Sequence, residues 1–294
     1  MELHEIFDNL SNKITQLQLY QRTIAKMAGE ELKRLNEYYE SFKDKPELLE
    51  LSRSGHRMLF YDAQTGEART FGRREISVED RMKAVVLHKN KQYQWLLVEA
   101  YEAFEDYIED VYAYAALLDI NLWPCRHFGN ISLSELSNKD FNWFRNRVNR
   151  IKDKDKDNIL NQFRNKFNDI EEIEKTNKLN VNLRLTLILI NNLRHIIVHN
   201  GGIVGDKAEF SKKVLKDAGL YNNGKPNKRH VIFINNYFGS EEYDNNIVLL
   251  EVRIMPEIPI DISINRLDSL TGNLMSYAFL IAQYLQEYKN PTKT

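Results

Sequence analysis

The stretch VNLRLTLILINNLRHIIVHNGGIV, Val181 to Val204, governs how the rest of the chain is read. Its first half is so apolar that, as a helix, it belongs in a core. Its second half places Asn191, Asn192, Arg194, His195 and His199 in quick succession, with Asn200, Gly201 and Gly202 directly behind. Polar groups buried without partners cost kilocalories, so such a cluster on a core helix needs a reason. At helical spacing Asn191, His195 and His199 fall on one stripe, with Arg194 beside it. The two glycines supply the left-handed residue that commonly ends a helix, which places His199 in the last turn. There the negative end of the helix dipole favours an imidazolium while Arg194 opposes it, a balance suited to acid–base chemistry.

In these residues the sequence resembles the HEPN superfamily of α-helical domains, many of which are ribonucleases in toxin and antiphage systems. The family's mark is an arginine, a polar residue, and a histidine one to two helical turns on. Here it reads Arg194-His195-Ile196-Ile197-Val198-His199, followed by Asn200-Gly201. The resemblance spans roughly the chain after Ser77 and is strongest around this motif. Arg81 and His88 satisfy the looser spacing, but apolar Met82 follows that arginine and no glycine stop follows the histidine. The resemblance implies a HEPN-like helical bundle and a homodimer whose two motifs face one groove. It also implies metal-independent cleavage of RNA with no cofactor. RNA is then the partner, and an antitoxin or other regulatory protein is a second one that the resemblance allows.

The chemistry fits the residue types. Cleaving RNA through its own 2′-hydroxyl needs a base for that hydroxyl, charge stabilisation at phosphorus, and an acid for the departing 5′-oxygen. His199 is the acid–base candidate, Arg194 a forked donor to phosphate oxygens, and His195 an RNA-positioning group or second proton carrier. Asn191, Asn192 and Asn200 stand as supporting residues. So does Glu102, from an acidic stripe (Glu99, Glu102, Asp106, Glu109) on the preceding long helix, with Glu105 as the alternative partner for Arg194. Three other readings compete. His195 and His199 could ligate a metal, but the pattern lacks the glutamate of a zinc protease helix and a third ligand. The fold could serve as a non-catalytic dimeric scaffold or RNA-binding protein, or the polar stripe could be hydrogen-bonded structure.

Composition bounds these readings. At 294 residues the chain can bury a substantial core in one large or two modest domains. Its 41 lysines and arginines nearly cancel 42 aspartates and glutamates, so any nucleic-acid surface is a local patch. The one cysteine, Cys125, excludes an intrachain disulfide and suits a reducing compartment. The N-terminus lacks the pattern of a secretory signal, and the most apolar run, Leu183 to Ile190, is too short to span a membrane. A cytoplasmic protein with no membrane partner is the expectation.

Apolar rhythm supplies a mainly α fold with a long N-terminal helix and small β-hairpin insertions. Leu3 to Phe42 reads as one helix whose seam is interrupted by Gln21 and Glu31. Thr65-Gly66 divides two short extended segments into a hairpin, and Ser77 with Asp80 forms a capping box for a helix running to Leu118. Residues 1–76 therefore read as a helical extension with a hairpin, and 77–290 as the HEPN-like domain with a β insertion near 230–254. Within it, Tyr221 to His230 reads as a loop, Val231 to Phe238 and Ile247 to Ile254 as strands, and Ser263 to Tyr288 as a closing helix. Between Lys139 and Phe167, basic residues alternate with aromatics, and Arg147, Arg150 and Lys154 mark one helical face as an RNA-binding candidate. The alternating KDKDKD run at Lys152 to Asp157 partly cancels that field.

Overall fold

Helix dominates, as the three-four apolar rhythm predicts. The computed structural model describes residues 2–152, 159–221, 226–253 and 263–291. Among the described residues the chain is mainly α, with small antiparallel strand pairs and a long first helix. In order these are α1 (Leu3–Phe42), α2 (Pro46–Leu51), β1 (Ser54–Tyr61), β2 (Ala68–Ile76), α3 (Val78–Leu118), α4 (Leu133–Leu136) and α5 (Phe141–Lys152). Then follow α6 (Ile159–Lys166), α7 (Asp169–Lys175), α8 (Leu183–Asn200), α9 (Lys207–Asp217), α10 (Lys228–Asn235), β3 (Glu251–Arg253), β4 (Ser263–Asn265) and α11 (Arg266–Lys289). No described helix is long and apolar enough to cross a membrane.

The chain divides into two compact units, one of Met1–Gln18 with Tyr93–Thr294 and one of Leu19–Gln92. The division read from the sequence after residue 76 falls inside the second unit. In the first unit, Leu97, Phe104 and Val111 of α3, Leu185, Leu189 and Leu193 of α8, and Leu274, Tyr277 and Ile281 of α11 are buried. Each such side chain contributes about 1.5–3 kcal/mol on leaving water. The motif helix α8 packs against α7, α9 and α11. Tyr107 Oη donates to the Ala278 carbonyl at 2.7 Å, tying α3 to α11. The first turns of α1 add Ile6, Leu10 and Ile14 to this core, and Phe7 meets Tyr107 and Phe279 edge-on.

In the second unit, α1 buries Gln21, Ala28 and Leu35 along a heptad line, so the polar interruption at Gln21 sits inside the seam. The hairpin forms where Thr65-Gly66 places it. Asp62 Oδ1 accepts from the Gln64 and Thr65 amides at 2.8 and 3.3 Å, and Gly66 takes the positive φ that the turn requires. The capping box also forms. The Asp80 amide donates to Ser77 Oγ and the Ser77 amide to Asp80 Oδ2, each at 3.1 Å, which starts α3 at Val78.

The β insertion departs from expectation. Residues 231–235, expected as part of a strand over Val231 to Phe238, lie in helix α10, and the loop expected over 221–230 gives way to that helix at Lys228. Asn227 accepts from the Arg229 amide at 2.9 Å and starts the helix. Burial then follows helical spacing: Ile234, Tyr237 and Phe238 are buried and Ile232 is exposed. The β-branched run Val-Ile-Phe-Ile favours a strand locally, and the cap together with packing on α9 overrides it. Of the expected strand Ile247 to Ile254, the part in a named strand is Glu251–Arg253, paired with Ser263–Asn265. Ile254, most of the KDKDKD run and residues 222–225 lie outside the described residues.

Candidate functional site

Both ends of α8 are capped by its own sequence. Asn182 accepts from the Leu185 amide at 2.8 Å. At the other end Gly201 adopts φ 59°, and the amides of Gly201 and Gly202 both return to the Ile196 carbonyl, a Schellman-type stop. The chain is then held in place by short extended pairings. The Ile247 amide donates to the Gly202 carbonyl and the Val204 amide to the Asn245 carbonyl, both at 2.9 Å.

Gly202 cannot carry a side chain here. Its φ is +78°, and a Cβ would lie 2.6 Å from Oε1 and 2.7 Å from Nε2 of Gln94. Gln94 is itself buried and donates from Nε2 to the Ile247 carbonyl at 2.6 Å, so the contact closes the end of α8 onto α3. Gly202→Ala is expected to cost about 1–3 kcal/mol from the left-handed backbone and about 1 kcal/mol from the displaced amide. Gly219, with φ +70° and nothing within 4 Å of its would-be Cβ, is the control, since Gly219→Ala carries only the backbone cost. Urea denaturation of both variants checks the difference; equal losses would mean that the Gln94 contact contributes nothing.

Ahead of this cap the motif residues emerge from the core. Leu189, Ile190, Leu193 and Ile197 are buried, while Asn191, His195, His199 and Asn200 are exposed. The rings of His195 and His199 face each other with centroids 4.6 Å apart, as the four-residue spacing dictates. Arg194 lies beside them with 31% of its side chain exposed, and two residues of α3 hold it. Its Nη2 is 3.6 Å from Glu105 Oε2, and its guanidinium carbon lies 5.6 Å from the centre of the Tyr101 ring. Burial, with the Glu105 carboxylate as a second cause, pushes the Tyr101 hydroxyl well above the usual phenol range, so the ring stays neutral under the cation. Arg194 Nε is buried with no hydrogen-bond partner among the described residues. The half-exposed ion pair is worth at most about 1 kcal/mol, enough to orient the fork but not to lock it.

The other predicted residues are placed as follows. Asn192 is buried and donates from Nδ2 to the Ile188 carbonyl at 2.9 Å, a back-bond within α8. Glu102 is exposed and lines a groove with Asn9, Lys13, Glu99 and Asp106, whereas Glu105 is the residue beside Arg194. Arg147 donates from Nε to the His127 carbonyl at 2.6 Å, and its guanidinium rests where a Cβ on Gly129 would sit. It anchors the connector before α5, while Arg150 is exposed and Lys154 lies outside the described residues. A neighbour on α5, Arg145, is engaged by Glu109 at 2.6 Å and Asp110 at 2.5 Å. Sequence reasoning missed Tyr101 as the platform beneath Arg194; its place four residues before Glu105, on the same α3 face, is the signal that could have found it.

Among the described residues, no group of three or more His, Cys, Asp or Glu side chains is placed to hold a metal ion. The arrangement offers two imidazoles that can carry protons and one forked cation that can meet phosphate oxygens. Comparison of the chain with models of protein families, with curated proteins and with solved structures finds no match.

Proposed function

We propose that the protein is a metal-independent endoribonuclease of HEPN type, cutting RNA by attack of its own 2′-hydroxyl. The observation that carries this reading is the cluster of Arg194, His195 and His199 at the solvent-facing end of a buried helix, with Tyr101 and Glu105 orienting the arginine. A neutral imidazole takes the 2′-hydroxyl proton as that oxygen bonds to phosphorus. The bond to the 5′-oxygen breaks, and an imidazolium returns a proton to the leaving oxygen. The Arg194 fork meets the charge on the non-bridging oxygens. His199 is one proton carrier; the second is His195 or His199 of a second copy. Val198 and Ile203 expose apolar side chains beside the motif, which supports a homodimer paired along 191–203. A cytoplasmic toxin or antiphage role, restrained by an antitoxin or other regulator, belongs to the same reading.

The test is direct. With mixed RNAs and excess chelator, the purified protein should leave 2′,3′-cyclic phosphate and 5′-hydroxyl ends. Inertness on every RNA class would end the claim, and activity lost to chelator would revive a metal role for His195 and His199. Sedimentation should show a dimer that Val198→Asp with Ile203→Asp disrupts, activity falling with it. A wild-type monomer at high micromolar concentration would count against the composite groove. The second reading, a non-catalytic dimeric scaffold, draws on Leu19, Tyr20 and Met27, which α1 leaves exposed in the second unit.

A further inference from the structure

The hairpin of the second unit is exposed almost throughout. Every strand residue from Gly55 to Tyr61 and from Ala68 to Glu75 is open to solvent. Two strands alone are marginally stable and normally bury one face. Here the register shows what the open faces carry. Met58 pairs with Phe71, Phe60 with Arg69 and His56 with Arg74, so by strand alternation these six side chains share one face. Phe60 and Phe71 are 44% and 68% exposed, and they sit diagonally across the ladder at a separation of about 7 Å. Cations bracket them, Arg69 at the turn end and Arg74 with His56 at the other.

No carboxylate shares that face between the Ser54–Ile76 and Phe60–Arg69 pairs. The Glu75 side chain points to the opposite face with Gly55, and Asp62 and Glu67, which approach Arg69 Nη2 at 3.7 and 3.3 Å, belong to the turn. The Asp80 carboxylate near Arg74 is held below the usual range, first by the Ser77 amide, because it is engaged in capping α3. A second copy packed on this face would oppose arginine to arginine with no acid to offset them. A polyanion that also presents flat apolar faces satisfies both features: bases stack on the rings while phosphates meet the arginines.

We infer that this hairpin face is a stacking platform for single-stranded RNA. The inference rests on the ribonuclease reading only in choosing RNA over other single-stranded nucleic acid. Binding of a fluorescein-labelled oligonucleotide with 2′-O-methyl riboses, which blocks the proposed cleavage, tests it on the full chain by anisotropy. Phe60→Ser with Phe71→Ser should weaken binding at least about tenfold. Arg69→Gln with Arg74→Gln should weaken it and flatten the slope of log affinity against log salt by about 1. All four side chains are exposed, so circular dichroism should match wild type. Unchanged affinity in both variants would overturn the inference. So would a ring variant that turns a dimer into a monomer with RNA affinity intact, or one that loses only its binding to vesicles containing phosphatidylglycerol. Hairpin-dependent binding without any cleavage would sink the ribonuclease reading alone; cleavage with hairpin-independent binding would sink the platform alone.

Discussion

His199→Ala should lower RNA cleavage by about 10²-fold or more while leaving the fold and RNA binding in place. The magnitude is that of a proton carrier removed from a general acid–base step, about 10²–10⁴-fold. Stability should hold because His199 is exposed in the last turn of α8, and surface substitutions usually stay within about 0.5 kcal/mol. Arg194 separates charge from geometry. Arg194→Ala should cost about 10²–10³-fold in turnover, as loss of a transition-state donor does. Arg194→Lys should recover only part, since an ammonium lacks the fork that Tyr101 and Glu105 orient. Arg81→Ala and His88→Ala, which reproduce only the looser spacing, should leave the rate unchanged. Single-turnover kinetics with end-group analysis reads all of these, and cleavage that survives His199→Ala would point to another active site or a contaminant.

How much of this was legible in sequence depended on the range over which each residue's partner lies. The α8 stop, the Ser77–Asp80 box and the Thr65-Gly66 turn are local, and each forms where the residues place it. The Arg194, His195 and His199 cluster was legible for the same reason, since helical period alone brings them together. The choice between Glu102 and Glu105 was not. Three residues on α3 separate a groove lined by residues of α1 from the face that meets Arg194, and nothing local says which neighbour lies on which side. Arg147 misled for a related reason, because its acceptor is a backbone carbonyl twenty residues earlier that composition cannot reveal. The strand expected at 231–238 failed because β-branched residues signal strand within a short window, whereas Asn227 and packing on α9 decide the outcome.

The largest effect on stability should come from a carboxylate that pattern reading passed over. Glu174, on α7, is fully buried, with its side chain at 0% exposure. Arg164 of α6, 12% exposed, donates Nε to both carboxylate oxygens at 2.9 Å and Nη2 to Oε1 at 2.7 Å. Tyr277 of α11 donates its hydroxyl to the same Oε1. One carboxylate thus joins three helices of the first unit. Glu174→Ala would leave a desolvated guanidinium and an orphaned phenol, and breaking such a pair from one side costs about 3–5 kcal/mol. Tyr277→Phe removes only one charge-assisted hydrogen bond and should cost about 1.5–3 kcal/mol. Arg164→Met combined with Glu174→Leu should lose far less than either single change, because the penalty lies in stranding one charge rather than in lacking the pair. Urea denaturation of the four variants measures this. A Glu174→Ala chain within about 1 kcal/mol of wild type, or a double variant as unstable as the sum of its singles, would show that the pair does not hold these helices together.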